Sequence, residues 1–287
     1  MNLLESIVLG MVQGATEFLP VSSSGHLVIG QYFLGVKEPG LLFDIILHVG
    51  TLLAVVFYYR RDVYLLVRDT LWGLRTLFET RSLKKALERT GTRIAAFIVL
   101  ATIPTGLMGV GIGKILEPDD GSVIVTPAFV FGMLIFNGII LFSNRFVKDA
   151  PMDVDDWNLT WKKALIVGVT QGFAVLPGIS RSGTTITTAL YLGVSRPEAA
   201  RFSFLLSIPA ILGAVVLKFD PSVFSGEDGD SAILIYTAGA LVAGVVGYLC
   251  LKLLVSLLQK ARFFHFAWYS WAVGVLGLLY LVLHSPV

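Results

Sequence analysis

Long apolar runs alternate with short polar passages along this chain. Six runs approach the ~20 apolar residues that cross a bilayer: about 41–58, 93–111, 123–142, 203–218, 232–251 and 265–283. Ahead of the first and the fourth stand pairs of shorter apolar arms, about 3–12 with 26–35 and about 162–170 with 184–193. At ~1.5 Å per residue each arm is too short to cross. Two ordinary spans broken by a loop are the plainer alternative. Re-entrant hairpins fit better, because irregular backbone at membrane depth survives where protein or a wet cavity surrounds it.

The tips of the two predicted hairpins are related. The first reads Gly10-Met-Val-Gln-Gly-Ala-Thr-Glu-Phe-Leu-Pro-Val-Ser-Ser-Ser-Gly-His26, and the second Gly168-Val-Thr-Gln-Gly-Phe-Ala-Val-Leu-Pro-Gly-Ile-Ser-Arg-Ser-Gly-Thr184. Gly10, Gln13, Gly14, Ser22, Ser24 and Gly25 each meet an identical residue 158 positions later. The match continues through Leu34-Gly-Val36 against Leu192-Gly-Val194 and Pro39 against Pro197. Broken polar segments at matching places in two apolar halves mark an inverted repeat with its site at the repeat interface. The expected fold is therefore an all-α polytopic membrane protein of six transmembrane helices plus two re-entrant hairpins. Residues 1–145 form repeat 1, residues 146–287 repeat 2, and the two make one integrated membrane domain.

Composition agrees. The 287 residues are 55% hydrophobic and only 15% charged, against about 25% charged in soluble domains, and the mean hydropathy is +0.78. Residues 1–12 lack a basic start and a small-residue cleavage site, so no cleavable signal peptide is expected. The single cysteine, Cys250, excludes an intrachain disulfide framework and a cysteine-based metal site. Charge placement says more than the net +2. With six spans and hairpins that do not cross, four basic groups fall on one side: Arg60 to Arg93, Arg145 to Lys163, Arg196 with Arg201, and Lys252 to Arg262. Lys37, Lys114 and Lys218 fall opposite, with Glu117, Asp119, Asp120, Asp220, Glu227, Asp228 and Asp230. The positive-inside rule makes the basic side cytoplasmic and both termini external. It also accounts for the basic 60–93 loop as a topology signal with an amphipathic segment, leaving no reason to expect nucleic acid as a partner. Three spans per hairpin give the halves opposite topology. The hairpins then enter from opposite sides and meet at their tips.

The chemistry gathers in the tips. Glu17 is an ionisable group at membrane depth, read as a general base, a metal ligand or both; its bland alternative is a carboxylate held by Arg181. Gln13, one turn earlier, is placed to orient Glu17 or to offer a metal its carbonyl. Ser22, Ser23 and Ser24 before Gly25 suit a loop wrapped around an oxyanion, with φ > 0 available at the glycine. Ser23 or a neighbour is a candidate nucleophile, and His26 a base, an acid or a nucleophile. Arg181 between Ser180 and Ser182, just before Gly183, is a fixed fork for gripping phosphate and for charge that grows during transfer. Asp44 and His48, four residues apart, are expected to pair or to line the cavity in a supporting role. Asn137 reads as interhelical glue. His265 and His284 have no evident role.

At these residues the sequence resembles the undecaprenyl-diphosphatase family, integral-membrane phosphatases associated with bacitracin resistance. The matching stretches are Gln13 to His26, Pro177-Gly-Ile-Ser-Arg-Ser-Gly183, Leu192-Gly-Val-Ser-Arg196 and Phe202-Ser-Phe-Leu-Leu206. The resemblance covers essentially the whole chain. It implies hydrolysis of undecaprenyl diphosphate to the monophosphate and phosphate, recycling the lipid carrier for cell-wall synthesis in a bacterial inner membrane. It maps the key family residues onto Glu17, Ser23, His26 and Arg181. Gln13, Ser22, Ser24, Gly25, Ser180, Ser182 and Gly183 are expected to hold the substrate. It also implies help from Mg²⁺ or Ca²⁺, with Glu17 as the candidate ligand. Family members carry Glu or Gln where Gln13 stands, so a second carboxylate is absent here. The type-2 phosphatidic-acid phosphatases also use Ser-Gly-His, but need a second histidine after Ser-Arg. This chain reads Ser-Gly-Thr-Thr-Ile-Thr187 there, and that class is set aside.

The expected reaction is attack on phosphorus by Ser23 or a water, with His26 or Glu17 as base. His26 activating Ser23 is the first choice and His26 as nucleophile the second. The substrate would enter from the external side with its tail between helices, in membrane lipid. The rival class is a polyprenyl-phosphate transporter or flippase, alone or combined with the phosphatase. A homodimer is left open, since lipid is as apolar as leucine.

Overall fold

A computed structural model describes residues 1–36, 41–116, 124–148, 158–218 and 229–284. Among the described residues the chain is helical with no strand. Lys37, Glu117, Asp119, Asp120, Asp220, Glu227 and Asp228 lie outside them.

The two predicted hairpins are present as helix pairs. The first is α1 (Leu3–Phe18) with α2 (Ser23–Leu34), and the second α8 (Trp161–Phe173) with α9 (Arg181–Tyr191). Asn2 caps α1 through a reciprocal box with Glu5: its side chain accepts from Glu5 N at 2.9 Å while the Glu5 carboxylate accepts from Asn2 N at 2.8 Å. Gly35 closes α2 in the left-handed region at φ 65°. The tips are narrower than the sequence suggests. Gln13 and Glu17 are helical, and Ser23 to His26 already belong to α2. The helix continues through Gly10 and Gly14 because both lie against a neighbouring backbone rather than in a turn.

Between and after the hairpins come α3 (Leu41–Tyr58), α4 (Arg60–Thr80), the short α5 (Leu83–Ala86), α6 (Thr90–Leu116), α7 (Pro127–Ser143), α10 (Arg196–Lys218), α11 (Gly229–Gln259) and α12 (Phe266–His284). Among the described residues five helices, α6, α7, α10, α11 and α12, are long and apolar enough to cross a membrane. α3 is apolar too, and bends by 82° into the amphipathic α4. Large apolar side chains such as Leu107, Val216 and Leu283 are exposed along these helices. Several apolar helices of this kind make the chain a multi-pass membrane protein.

α4 is fastened to α6 by polar contacts. Thr92 donates to the Asp69 carbonyl at 2.6 Å, and the Asp69 carboxylate accepts from Arg68 at 2.8 Å and from Arg89 at 3.3 Å. Burial raises the Asp69 carboxyl, but these hydrogen bonds and charges outweigh it and hold the group below its ordinary value.

The packing crosses the two halves. α1 lies along α11, and α8, its counterpart 158 residues later, lies along α6. Both contacts use glycine at the same place in the pattern. A Cβ on Gly10 would stand 2.5 Å from the Gly239 carbonyl oxygen, and one on Gly168 would stand 2.2 Å from that of Ala101. Small residues of this kind let helix backbones approach closely where no water drives them together.

Candidate active site

The two tips meet because Leu19-Pro20 ends one helix and Pro177-Gly178 breaks the other run. Each second arm then starts with the same cap. Ser22 Oγ accepts from Gly25 N at 3.3 Å, and Ser180 Oγ accepts from Gly183 N at 3.0 Å. Ser22 also accepts from Gly178 N, at 3.0 Å, across the repeat boundary. It holds φ 71°, a conformation that a non-glycine residue adopts only when its surroundings over-determine it. The sequence places φ > 0 at Gly25 instead. Gly25 is helical, and its missing Cβ serves contact: a methyl there would stand 3.0 Å from Gly178 Cα. Asn137 is more than interhelical glue. Its amide donates to the Pro20 carbonyl at 2.9 Å and accepts from Ser180 N at 3.0 Å, so one side chain ties both tips together.

Glu17 is the centre of the constellation, with 8% of its surface exposed. Oε1 accepts from Arg181 Nη2 at 2.7 Å. Oε2 accepts from Ser23 Oγ at 2.6 Å and from Gln13 Nε2 at 3.0 Å. Ser23 and Arg181 are each the first residue of their helix, at matching places in the two repeats. Both helices therefore turn their N-terminal ends, with a positive dipole end and the N–H groups that the caps at Gly25 and Gly183 leave over, toward the same carboxylate. Arg181 Nη1 reaches the Ser203 carbonyl at 3.5 Å, and Ser182 donates to the Phe18 carbonyl at 2.9 Å. Ser24 lies beside Ser22, Oγ to Oγ at 3.4 Å.

The two remaining histidine expectations come out differently. His26 does not reach into this cluster by any hydrogen bond. Its Nδ1 pairs with the Ser22 carbonyl at 2.8 Å and its Nε2 with the Tyr269 hydroxyl at 2.9 Å. The ionisable group in contact with Ser23 is Glu17. The cause is local: Ser22 sits one turn before His26 and fastens the imidazole to the start of α2. His48 and Asp44 pair through the backbone, Nδ1 to the Asp44 carbonyl at 2.7 Å, while the Asp44 carboxylate accepts from Gln31 at 2.9 Å. That leaves His48 Nε2 facing Glu17 Oε2 at 3.6 Å. Tyr269 and Ser203 were not visible as site residues, since nothing in the pattern of their helices sets them apart from polar neighbours such as Ser270 and Ser207.

Fit to a divalent cation rests on Gln13. Its Oε1 is buried with no hydrogen-bond partner, beside the Glu17 carboxylate. A bare amide oxygen next to a carboxylate suits a hard cation that takes most of its ligands from phosphate and water. No group of three or more His, Cys, Asp or Glu side chains placed to hold a metal occurs among the described residues.

Comparison with known proteins covers nearly the whole chain. A family model described as bacitracin resistance protein BacA matches residues 6–276. A protein of Desulforapulum autotrophicum named undecaprenyl-diphosphatase is 40% identical over 280 residues, 97% of this chain and 98% of that one. One of the same name from Geobacter sulfurreducens is 39% identical over 285 residues, 98% and 99% of the two chains. Another of that name, from Methanobrevibacter smithii, is 38% identical over 284 residues, 99% of each. Paired tips, capped alike and closed on one carboxylate, thus occur in a chain that matches its relatives from end to end, and it belongs to the bacitracin resistance protein BacA family.

Proposed function

We propose that this protein hydrolyses undecaprenyl diphosphate, or a closely similar polyprenyl diphosphate, to the monophosphate and inorganic phosphate. The observation that carries the reading is Glu17 held on one oxygen by Ser23 of the first hairpin and on the other by Arg181 of the second. A hydroxyl hydrogen-bonded to a carboxylate is a nucleophile with its base already in reach. Ser23 Oγ attacks the terminal phosphorus and passes its proton to Glu17 Oε2. The bond to the bridging oxygen breaks and the polyprenyl monophosphate leaves. Water then releases phosphate from the serine.

Arg181 supports the charge that grows on the phosphoryl oxygens, together with the first-turn N–H groups of α2 and α9. Ser22, Gly25, Ser180, Ser182 and Gly183 build the buried frame of the tips, and Ser24 stands beside it. His26 is the second proton-handling group, and for that its Nε2 must leave Tyr269. Gln13 Oε1 and Glu17 are the residues that would hold Mg²⁺ or Ca²⁺, and such an ion would neutralise diphosphate charge. A phosphate grip alone needs no nucleophile beside a base, and the relatives are named as diphosphatases, so both favour hydrolysis over transport.

The topology proposed with this function has six spans, with α3 as the sixth, and two re-entrant hairpins in inverted repeats 1–145 and 146–287. The offset of 158 residues and the crossed packing of α1 on α11 and α8 on α6 support it. The basic α4–α5 segment would be cytoplasmic, the site would open externally, and the setting would be the bacterial inner membrane.

The test is phosphate release from undecaprenyl diphosphate by purified protein in detergent, with and without Mg²⁺. Release by the wild type, lost in Ser23→Ala and Glu17→Gln, is expected. No release by the wild type with any divalent ion would overturn the reading. Release undiminished in Ser23→Ala would overturn the serine mechanism and leave water as the nucleophile.

A further inference from the structure

A groove of about 750 Å³ lies between α1, the end of α11 and the start of α12. Its walls include Leu19, Leu257 and Phe266, and no carboxylate lines it. Its charges come from the turn that joins α11 to α12. Arg262 is exposed there, and its guanidinium has no partner among the described residues. His265 uses Nδ1 on the Arg262 carbonyl at 3.2 Å, and its Nε2 has no described partner. Lys260 is exposed on the same turn.

Both α11 and α12 are long and apolar enough to cross a membrane, so the turn between them lies at the membrane boundary, at head-group level. Apolar walls running from a basic mouth toward the interior match the two parts of an anionic lipid. A water-soluble phosphate would leave those walls bare, and a zwitterionic phospholipid would bring a cation of its own beside the guanidinium. Basic pockets between transmembrane helices on the cytoplasmic side are known takers of anionic head groups.

We propose that this groove binds an anionic membrane phospholipid, its phosphate on Arg262 and one acyl chain along Leu19, Leu257 and Phe266. The groove also touches the proposed chemistry at one point. Tyr269, one turn beyond His265 on α12, lines it, and its hydroxyl and stacked ring hold His26 with centroids 5.6 Å apart. A lipid in the groove therefore lies against the residue that fixes the imidazole.

The test is lipid retention, which needs no catalysis and stands apart from the phosphatase reading. Protein in nanodiscs of mixed phosphatidylcholine and phosphatidylglycerol is released and its retained lipids are counted by native mass spectrometry. The wild type is expected to retain phosphatidylglycerol preferentially. Arg262→Gln, an exposed change, is expected to lower that preference about fivefold, the weight of one basic side chain near an anionic surface. Leu257→Trp, which fills the groove from its apolar wall, is expected to lower retention while the charges stay. Arg181→Ala is expected to leave retention unchanged. Equal retention of both lipids by the wild type, or undiminished preference in both Arg262→Gln and Leu257→Trp, overturns the proposal. Loss in Arg181→Ala with none in Arg262→Gln places the lipid in the active site and overturns it as well.

Discussion

The first hairpin and the second are built to one plan and equipped differently. Each opens its second arm with a serine cap at Ser22 or Ser180, has a glycine three residues later, and packs its first arm on a helix of the other half through glycine. Where the first has Glu17 the second has Val175, where the first has Ser23 the second has Arg181, and where the first has His26 the second has Thr184. The shared positions include those that cap and seat the helices, Ser22 with Ser180 and Gly10 with Gly168. Among the differing ones are Glu17, Ser23 and Arg181, which carry the charges and the hydroxyl of the cluster. Two identical tips would bring two carboxylates, or two arginines, to one buried place, and like charges there repel strongly. Divergence at two of these positions, Glu17 against Val175 and Ser23 against Arg181, converts that repulsion into the Arg181–Glu17 pair at 2.7 Å with Ser23 beside it. The lesson is that duplication supplies a frame, and asymmetry supplies the site.

The largest effect expected from breaking this asymmetry is at Arg181. Arg181→Ala should lower the rate of phosphate release by roughly 10²–10³-fold, the usual weight of one transition-state donor. Arg181→Lys should restore only part, because a point charge replaces a planar fork; a full recovery would reduce Arg181 to simple charge balance. Next come the shared seats. Gly10→Leu and Gly168→Leu should each destabilise by about 1–3 kcal/mol through overpacking, in similar measure, as judged by the Tm of each variant in detergent. A large inequality would show that the two hairpins are not seated alike.

The caps sharpen the comparison further. Ser180→Ala should cost about 1 kcal/mol, as for a lost helix cap. Ser22→Ala should cost more, because Ser22 also accepts from Gly178 N across the repeat boundary. The smallest effect is expected at Thr184, the counterpart of His26. Its hydroxyl is buried without a partner, so Thr184→Val should leave both phosphate release and Tm unchanged or slightly raised. A marked loss of activity there would give the second hairpin a chemical role beyond Arg181.

Much of this was legible in the chain itself. Gly10, Gln13, Ser22 and Gly25, repeated 158 residues later, mark both hairpins before any coordinate. The lone Glu17 and Arg181 in apolar surroundings mark the charged pair, since such groups at membrane depth need a partner. Less legible was what each histidine touches. Periodicity places His26 near Ser23 along α2, yet the ring turns to Ser22 and to Tyr269, which stands 243 residues later. Asn137 gives no hint in sequence that it spans both tips.

By itself, then, the sequence determined that the chain is a helical membrane protein, where its helices break, and which few polar groups must find partners. Hydropathy and glycine placement act locally and can be read along a single line. Tertiary structure decided that Glu17 takes Ser23 and Arg181 at once, that His26 is held by Tyr269, and that a basic-mouthed groove opens beside α12. Those outcomes depend on how two distant hairpins and three helices dock. Hydrogen bonds between them form only when that docking has fixed both distance and angle.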